Sequence, residues 1–149
     1  MNALLYKLLF LTRTYFFMFA TGHRPNLELA YAIDTVVMSS PPLFQGETGR
    51  DKTAALMVAI ADRESGLNNE AVGDHGLSVC AFQILGGSKK LLKDPLACTR
   101  KAYEMLAWSV RYCPRYPVAG YARGPRACTS ERAQKISNDR MWLAKEISR

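Results

Sequence analysis

Apolar positions along the chain fall at helical spacing in four stretches, and breakers separate them. Over residues 26–38, Leu27, Ala30, Tyr31, Ile33, Val36 and Val37 recur every three or four positions. Asn26 stands where a cap is needed, and Glu28 where the helix dipole favours an anion. Ser39-Ser40-Pro41-Pro42 stops this helix. A second helix is expected from Asp51, placed to cap it, to Ser65. Leu56, Val58, Ala59 and Ile60 make it apolar enough to be the central, buried helix, and Gly66 ends it. Phe82-Gln83-Ile84-Leu85 reads as a short strand or a helical turn. Asp94-Pro95 opens a long helix with proline in its first turn, and Pro114 and Pro117 close it. Residues 118–125 read as a loop or short helix. A last helix over 130–147 carries Ile136, Trp142, Leu143 and Ile147. The spacing of Trp108 and Trp142 assigns both to the core before any role in stacking on a ligand. The expected fold is mainly α, a helical bundle around a central buried helix, with a small irregular or β-like insert after it.

The first twenty residues are mostly Leu, Phe and Tyr, but Lys7 and Arg13 interrupt them. A secretion signal carries its charge ahead of an unbroken apolar core of about 7–15 residues. A spanning helix needs about 20 apolar residues, and a central arginine is costly there. Residues 1–24 are therefore set apart as an apolar segment. The readings open for it are a degenerate signal, a membrane-surface anchor and upstream sequence without a structural role. Residues 25–149 form the expected folded domain.

With 149 residues, 48% hydrophobic and 22% charged, the chain has an ordinary globular balance and suffices for one core. Its net charge of +7 is concentrated towards the C-terminus: residues 101–149 hold ten Lys/Arg against four Asp/Glu. A basic face attracts polyanions such as nucleic acid, anionic lipid or an anionic cell wall, or it is simply solvated. No RNA-binding motif, zinc-finger spacing or phosphate-binding loop is present, so no specific nucleic-acid partner is expected.

Cys80, Cys98, Cys113 and Cys128 lie in the second half without CxxC spacing, and His23 and His75 lie outside that region. A zinc site is not expected. The alternatives are two disulfides, which imply an oxidising compartment, or four reduced core cysteines. If residues 96–112 are one helix, Cys98 and Cys113 sit about 22 Å apart, beyond the roughly 7 Å that a bridge spans. Two pairings remain: Cys80–Cys98 with Cys113–Cys128, or Cys80–Cys113 with Cys98–Cys128. The first is preferred because Cys113–Cys128 closes a short Pro/Gly-rich loop.

The candidate chemistry centres on Arg63-Glu64-Ser65-Gly66-Leu67-Asn68. Glu64 falls in the last turn of the buried helix, where the dipole disfavours an anion. A Gly-rich polar loop follows, Ala71-Val72-Gly73-Asp74-His75-Gly76-Leu77-Ser78, and then Phe82-Gln83-Ile84. An acid held at a cleft wall, faced by a loop and a glutamine, suits glycosidic-bond cleavage. The alternative for Glu64 is an exposed or ion-paired helix-end charge. Asp74 is a candidate second carboxylate, since inverting glycosidases hold two carboxyls about 6.5–9.5 Å apart. More often an aspartate in a Gly-Asp-His-Gly turn bonds its own loop, and that reading is preferred. Ser65 and Ser78 are placed to bond loop backbone, and neither has a His/Asp pair to make it a nucleophile. His75 reads as a solvated loop histidine.

These pieces resemble the lysozyme-like superfamily, in particular its lytic transglycosylase branch (soluble lytic transglycosylases and goose-type lysozymes). Glu64-Ser65-Gly66 is similar to the Glu-Ser-Gly motif that carries that family's catalytic glutamate. Residues 69–78 resemble the loop after it, and Phe82-Gln83-Ile84 its apolar-Gln-Ile segment. Tyr121-Ala122-Arg123-Gly124 resembles its Tyr-Asn-x-Gly motif. The resemblance covers roughly residues 27–147. Two departures stand out: Cys80-Ala81 replaces a Gly-Leu-like pair, and Ala122 replaces the asparagine. The resemblance implies a monomeric, exported, cofactor-free and metal-free enzyme acting on peptidoglycan glycan strands. Glu64 would be the general acid, its pKa raised by burial. Ser78, Gln83 and Tyr121 would bind substrate, with Tyr121 orienting Glu64 or stabilising developing charge.

Overall fold

The computed structural model describes residues 3–149 and is mainly helical, with a small sheet. Among the described residues the helices are α1 (Ala3–Ala20), α2 (Leu27–Ser39), α3 (Gly49–Ser65), α4 (Pro95–Tyr112), α5 (Ala119–Arg123) and α6 (Glu131–Ile147). Between α3 and α4 lie β1 (Val72–Gly73), β2 (Ser78–Val79) and β3 (Ile84–Leu85), an antiparallel meander in the order β1-β2-β3. This is the expected helical bundle with a β-like insert after its central helix.

α3 is buried continuously from Thr53 to Asp62, so over that span it has no solvent face, and it is wrapped by α1, α2 and α6. Most of the boundaries follow local chemistry. The Asn26 side chain accepts the Leu29 N–H, Asp94 the Ala97 N–H and Ser130 the Ala133 N–H, capping α2, α4 and α6. At the other end of α2, the Arg50 guanidinium donates to the Val37 and Ser40 carbonyls and satisfies part of its C-terminus. Gly66 ends α3 in the left-handed region at φ 63°, where a residue without Cβ meets no penalty.

Two expectations are corrected. α3 begins at Gly49, two residues before Asp51, and no side chain caps it. Asp51 lies in the first turn and instead pairs with Arg13 of α1. Trp142 is not a core residue: it is 56% exposed, whereas its neighbour Leu143 is buried. The inward stripe of α6 is Ala133, Ser137, Ala144 and Ile147, and Trp142 projects from the opposite side of the helix.

The disulfides are Cys80–Cys98 and Cys113–Cys128, with Cα atoms 6.4 and 5.3 Å apart. This is the preferred pairing, and α4 does run unbroken between Cys98 and Cys113. The first bridge ties the insert to α4 and the second ties the end of α4 to the segment before α6. Residues 3–20 form a helix with Phe10, Phe17 and Met18 buried in the common core. Among the described residues no helix is long and apolar enough to cross a membrane.

Candidate functional site

A cleft of about 900 Å³ opens where the C-terminal end of α3, the sheet, α5 and α6 meet. Glu64, Asp74, Ser78, Gln83 and Tyr121, which lie as far as 57 positions apart in sequence, all line it. The sheet register accounts for part of this convergence. Gly73 pairs with Ser78 and Ser78 with Leu85, so the three form one cross-strand row, and all three border the cleft. The alternate positions Val79 and Ile84 point into the core.

Glu64 is neither isolated nor fully buried. Its side chain is 27% exposed, and its Oε1 accepts a hydrogen bond from Nη2 of Arg140 at 3.1 Å. The expected environment, burial against an apolar helix face, is thus replaced by a charge-assisted contact with α6. Arg140 itself is only 15% exposed. Its Nη1 donates to Asp139 at 2.8 Å, while its buried Nε has no partner among the described residues. The pairs run on from there: Arg63 Nε donates to Asp139 at 3.0 Å, Arg63 lies 3.6 Å from Asp62, and Asp62 meets His23 Nδ1 at 2.5 Å. An alternating line of charged and titratable groups therefore leads from His23 to Glu64. Stability accounts for an anion in the last turn of α3 better than the sequence implied, because the anion has a counter-ion.

Arg140 is the main site residue missed by sequence reasoning. A signal was present, because position 140 falls on the same inward stripe as Ala133, Ser137, Ala144 and Ile147. A lone arginine on a buried stripe calls for a buried acceptor. Arg123 also lines the cleft, at the end of α5.

Tyr121 reaches the cleft from α5, but its hydroxyl proton is given to the Phe82 carbonyl at 2.7 Å. In this arrangement it does not donate to Glu64. Burial of the hydroxyl, reinforced by the nearby Glu64 carboxylate, pushes its pKa well above 10, so it stays a neutral phenol. α5 can approach this closely because Gly120 packs on Trp108 and Ser109: an added Cβ would lie 2.9 Å from atoms of each.

Gln83 also works on the loop. Its amide nitrogen donates to the carbonyls of Cys80 (3.0 Å) and Ala71 (3.3 Å). Its Oε1 occupies the space beside Gly73, where a Cβ would come within 2.2 Å of it. Only this oxygen remains as an acceptor for a ligand. Asp74 accepts from the Ser78 hydroxyl at 2.5 Å, joining the two ends of its turn. Ser78 thus bonds a side chain and not the backbone, whereas Ser65 does bond backbone, donating within reach of Ala61 and Ala81 and accepting from Asn68 N–H.

Among the described residues, every non-glycine with positive φ lies in the segment after Glu64: Leu67, Asp74, His75, Cys80 and Gln83. Such conformations cost free energy and persist where the surroundings over-determine them. Here the Cys80–Cys98 bridge, the Gln83 amide and the Asp74–Ser78 bond do so. Cys80 holds its left-handed conformation (φ 64°) while bridged to α4.

Trp108 is half-buried beside the cleft and stacks, tilted, on Tyr112 with ring centroids 4.8 Å apart. His75 is exposed, as expected for a loop histidine. Comparison of the chain with protein-family models, with curated proteins and with solved structures returns no match.

Proposed function

We propose that this protein cleaves β-1,4 glycosidic bonds between N-acetylmuramic acid and N-acetylglucosamine in peptidoglycan, as a lytic transglycosylase with Glu64 as its single acid/base. One observation carries the reading. The residues singled out by resemblance to the lysozyme-like superfamily, spread from position 64 to 121, line one cleft large enough for sugar rings. In the reaction Glu64 gives a proton to the glycosidic oxygen and later accepts one from the 6-hydroxyl of the muramic residue, which closes an anhydro ring. Arg140 has two carboxylate partners, so it can remain on Asp139 when Glu64 carries a proton. Tyr121, a neutral phenol, lines the wall near Glu64, and the Gln83 Oε1 is the acceptor left for a sugar hydroxyl or amide N–H. Asp74, held by Ser78, supports a loop role more than that of a second catalytic carboxylate, which disfavours a muramidase mechanism.

The Glu64–Arg140 pair favours one competing reading, a non-catalytic wall-binding protein on the same fold, because a carboxylate engaged by a guanidinium is not poised to donate a proton. Export to the periplasm or cell exterior, where peptidoglycan lies, agrees with the two disulfides. The deciding experiment is digestion of purified peptidoglycan with mass analysis of the released muropeptides. Anhydro-muramic ends, abolished by Glu64→Gln, are expected. Reducing ends would make the protein a hydrolase. Binding without release would leave the wall-binding reading, and activity retained by Glu64→Gln would remove Glu64 as the acid.

A further inference from the structure

α1 is apolar on two sides. Facing inward, Phe10, Phe17 and Met18 are buried against the rest of the bundle. On the other side Leu5, Leu8, Leu9, Tyr15, Phe16 and Phe19 are exposed, Phe16 by 64% and Phe19 by 68%. At 3.6 residues per turn these six positions fall within an arc of about 120°. The one polar residue inside that arc, Thr12, donates its hydroxyl to the Leu8 carbonyl at 2.8 Å, so its polar group is satisfied within the helix. No charged side chain interrupts the face. The apolar surface continues onto α2, where exposed Leu27 and Tyr31 join Leu11 along a groove of about 460 Å³ edged by Lys93, Glu28 and Asp94.

A contiguous apolar face of this kind marks a contact with another phase or another molecule. Charge selects the occupant. Residues 3–24 hold Lys7, Arg13 and Arg24 and no Asp or Glu, with Arg13 already paired to Asp51, on a chain of net charge +7. Two such chains repel one another, whereas an anionic surface attracts each of them. Since no described helix can cross a bilayer, the fitting geometry is a helix lying in the interface, with Tyr15 and Tyr31 at the level where amphipathic rings settle. We propose that the outer face of α1 docks flat on a bilayer surface containing anionic phospholipid. The inference is independent of the Glu64 cleft and of any activity there.

The test uses the full chain and sedimentation with two vesicle types, phosphatidylcholine alone and phosphatidylcholine mixed with phosphatidylglycerol. A triple variant, Leu9→Gln, Phe16→Gln and Phe19→Gln, removes the face at exposed positions; an unchanged unfolding midpoint shows that it still folds. The expected partition onto the anionic vesicles is at least about tenfold above that onto the neutral ones, and it falls with added salt. The triple variant should lose about tenfold or more. Equal binding of variant and wild type overturns the proposal, as does wild type that stays in solution with both vesicles. So does a concentration-dependent dimer that the triple variant abolishes in the absence of vesicle binding, which would make a second copy the occupant.

Discussion

The pair Glu64–Arg140 joins the end of the central helix to α6, and its strength can be set from the geometry. With N and O 3.1 Å apart, the charge centres are separated by about 4 Å, which at an effective dielectric of about 20 corresponds to about 4 kcal/mol of attraction. Two effects reduce this. Glu64 is 27% exposed, so water screens it, and both charges give up hydration and side-chain freedom to meet. A net coupling of about 1–2 kcal/mol results, more than an exposed pair and less than a fully buried one. A double-mutant cycle isolates it: Arg140→Met keeps most of the apolar stem, and Glu64→Gln keeps the shape of the carboxylate. Stabilities from urea unfolding should place Arg140→Met about 2 kcal/mol below wild type, because it strips a counter-ion from both Glu64 and Asp139. The double variant should cost less than the sum of the singles by the coupling energy. Additive single effects, within about 0.3 kcal/mol, would refute the argument and make the pair incidental to the fold.

Two further outcomes follow from the same balance of burial and charge. Asp34 on α2 is buried with an unpartnered Oδ1, and burial raises its pKa from 3.8 to about 6 against the opposing effect of Lys7. The folded protein therefore keeps this proton to higher pH than the unfolded chain, so its contribution is full below about pH 4 and is lost as pH rises through about 6, by about 3 kcal/mol. Asp34→Asn should flatten that part of the stability–pH curve and raise stability at pH 7; a variant less stable at pH 7 would sink the reasoning. Non-reducing peptide mapping should return Cys80–Cys98 and Cys113–Cys128, and Cys80→Ser with Cys98→Ser should cost about 3 kcal/mol in urea unfolding for a loop of separation 18, so a loss under about 1 kcal/mol would mean that the insert holds itself.

Helices α2, α4 and α6 were legible because their signals are local. Asn26, Asp94 and Ser130 cap the turns they precede, and each needs information from only three residues onward. The disulfide pairing was legible for a related reason, since an unbroken α4 keeps Cys98 and Cys113 apart. What failed was long-range. Asp51 looks like a cap, but its carboxylate is taken by Arg13, 38 positions away, and α3 starts earlier. Trp142 and Leu143 are adjacent apolar residues, and only the position of α6 against α3 decides which one is buried. The counter-ion of Glu64 lies 76 positions downstream, so the sequence near Glu64 carries no trace of it. The left-handed conformations of Asp74, His75, Cys80 and Gln83 are equally invisible locally, because residues with side chains adopt them only under constraint from the surrounding structure.

That constraint bears on how the candidate site is assembled. Gln83 and Tyr121 line the cleft, yet each spends its hydrogen-bond donors on backbone: Gln83 on Cys80 and Ala71, Tyr121 on Phe82. Their first task is therefore to hold the loop rigid against α5, in conformations that would relax without them. Rigidity of this kind leaves few groups free at the cleft wall, and among the titratable ones Glu64 is bound to a counter-ion and Asp74 to Ser78. The difference between the two carboxylates lies in their partners. Ser78 is neutral and fixed by the sheet register, so freeing Asp74 would undo the turn. Arg140 already bonds Asp139, so releasing Glu64 costs one contact and leaves the guanidinium paired. Of the two acids facing the cleft, Glu64 is the one whose partner can release it without undoing the structure around it.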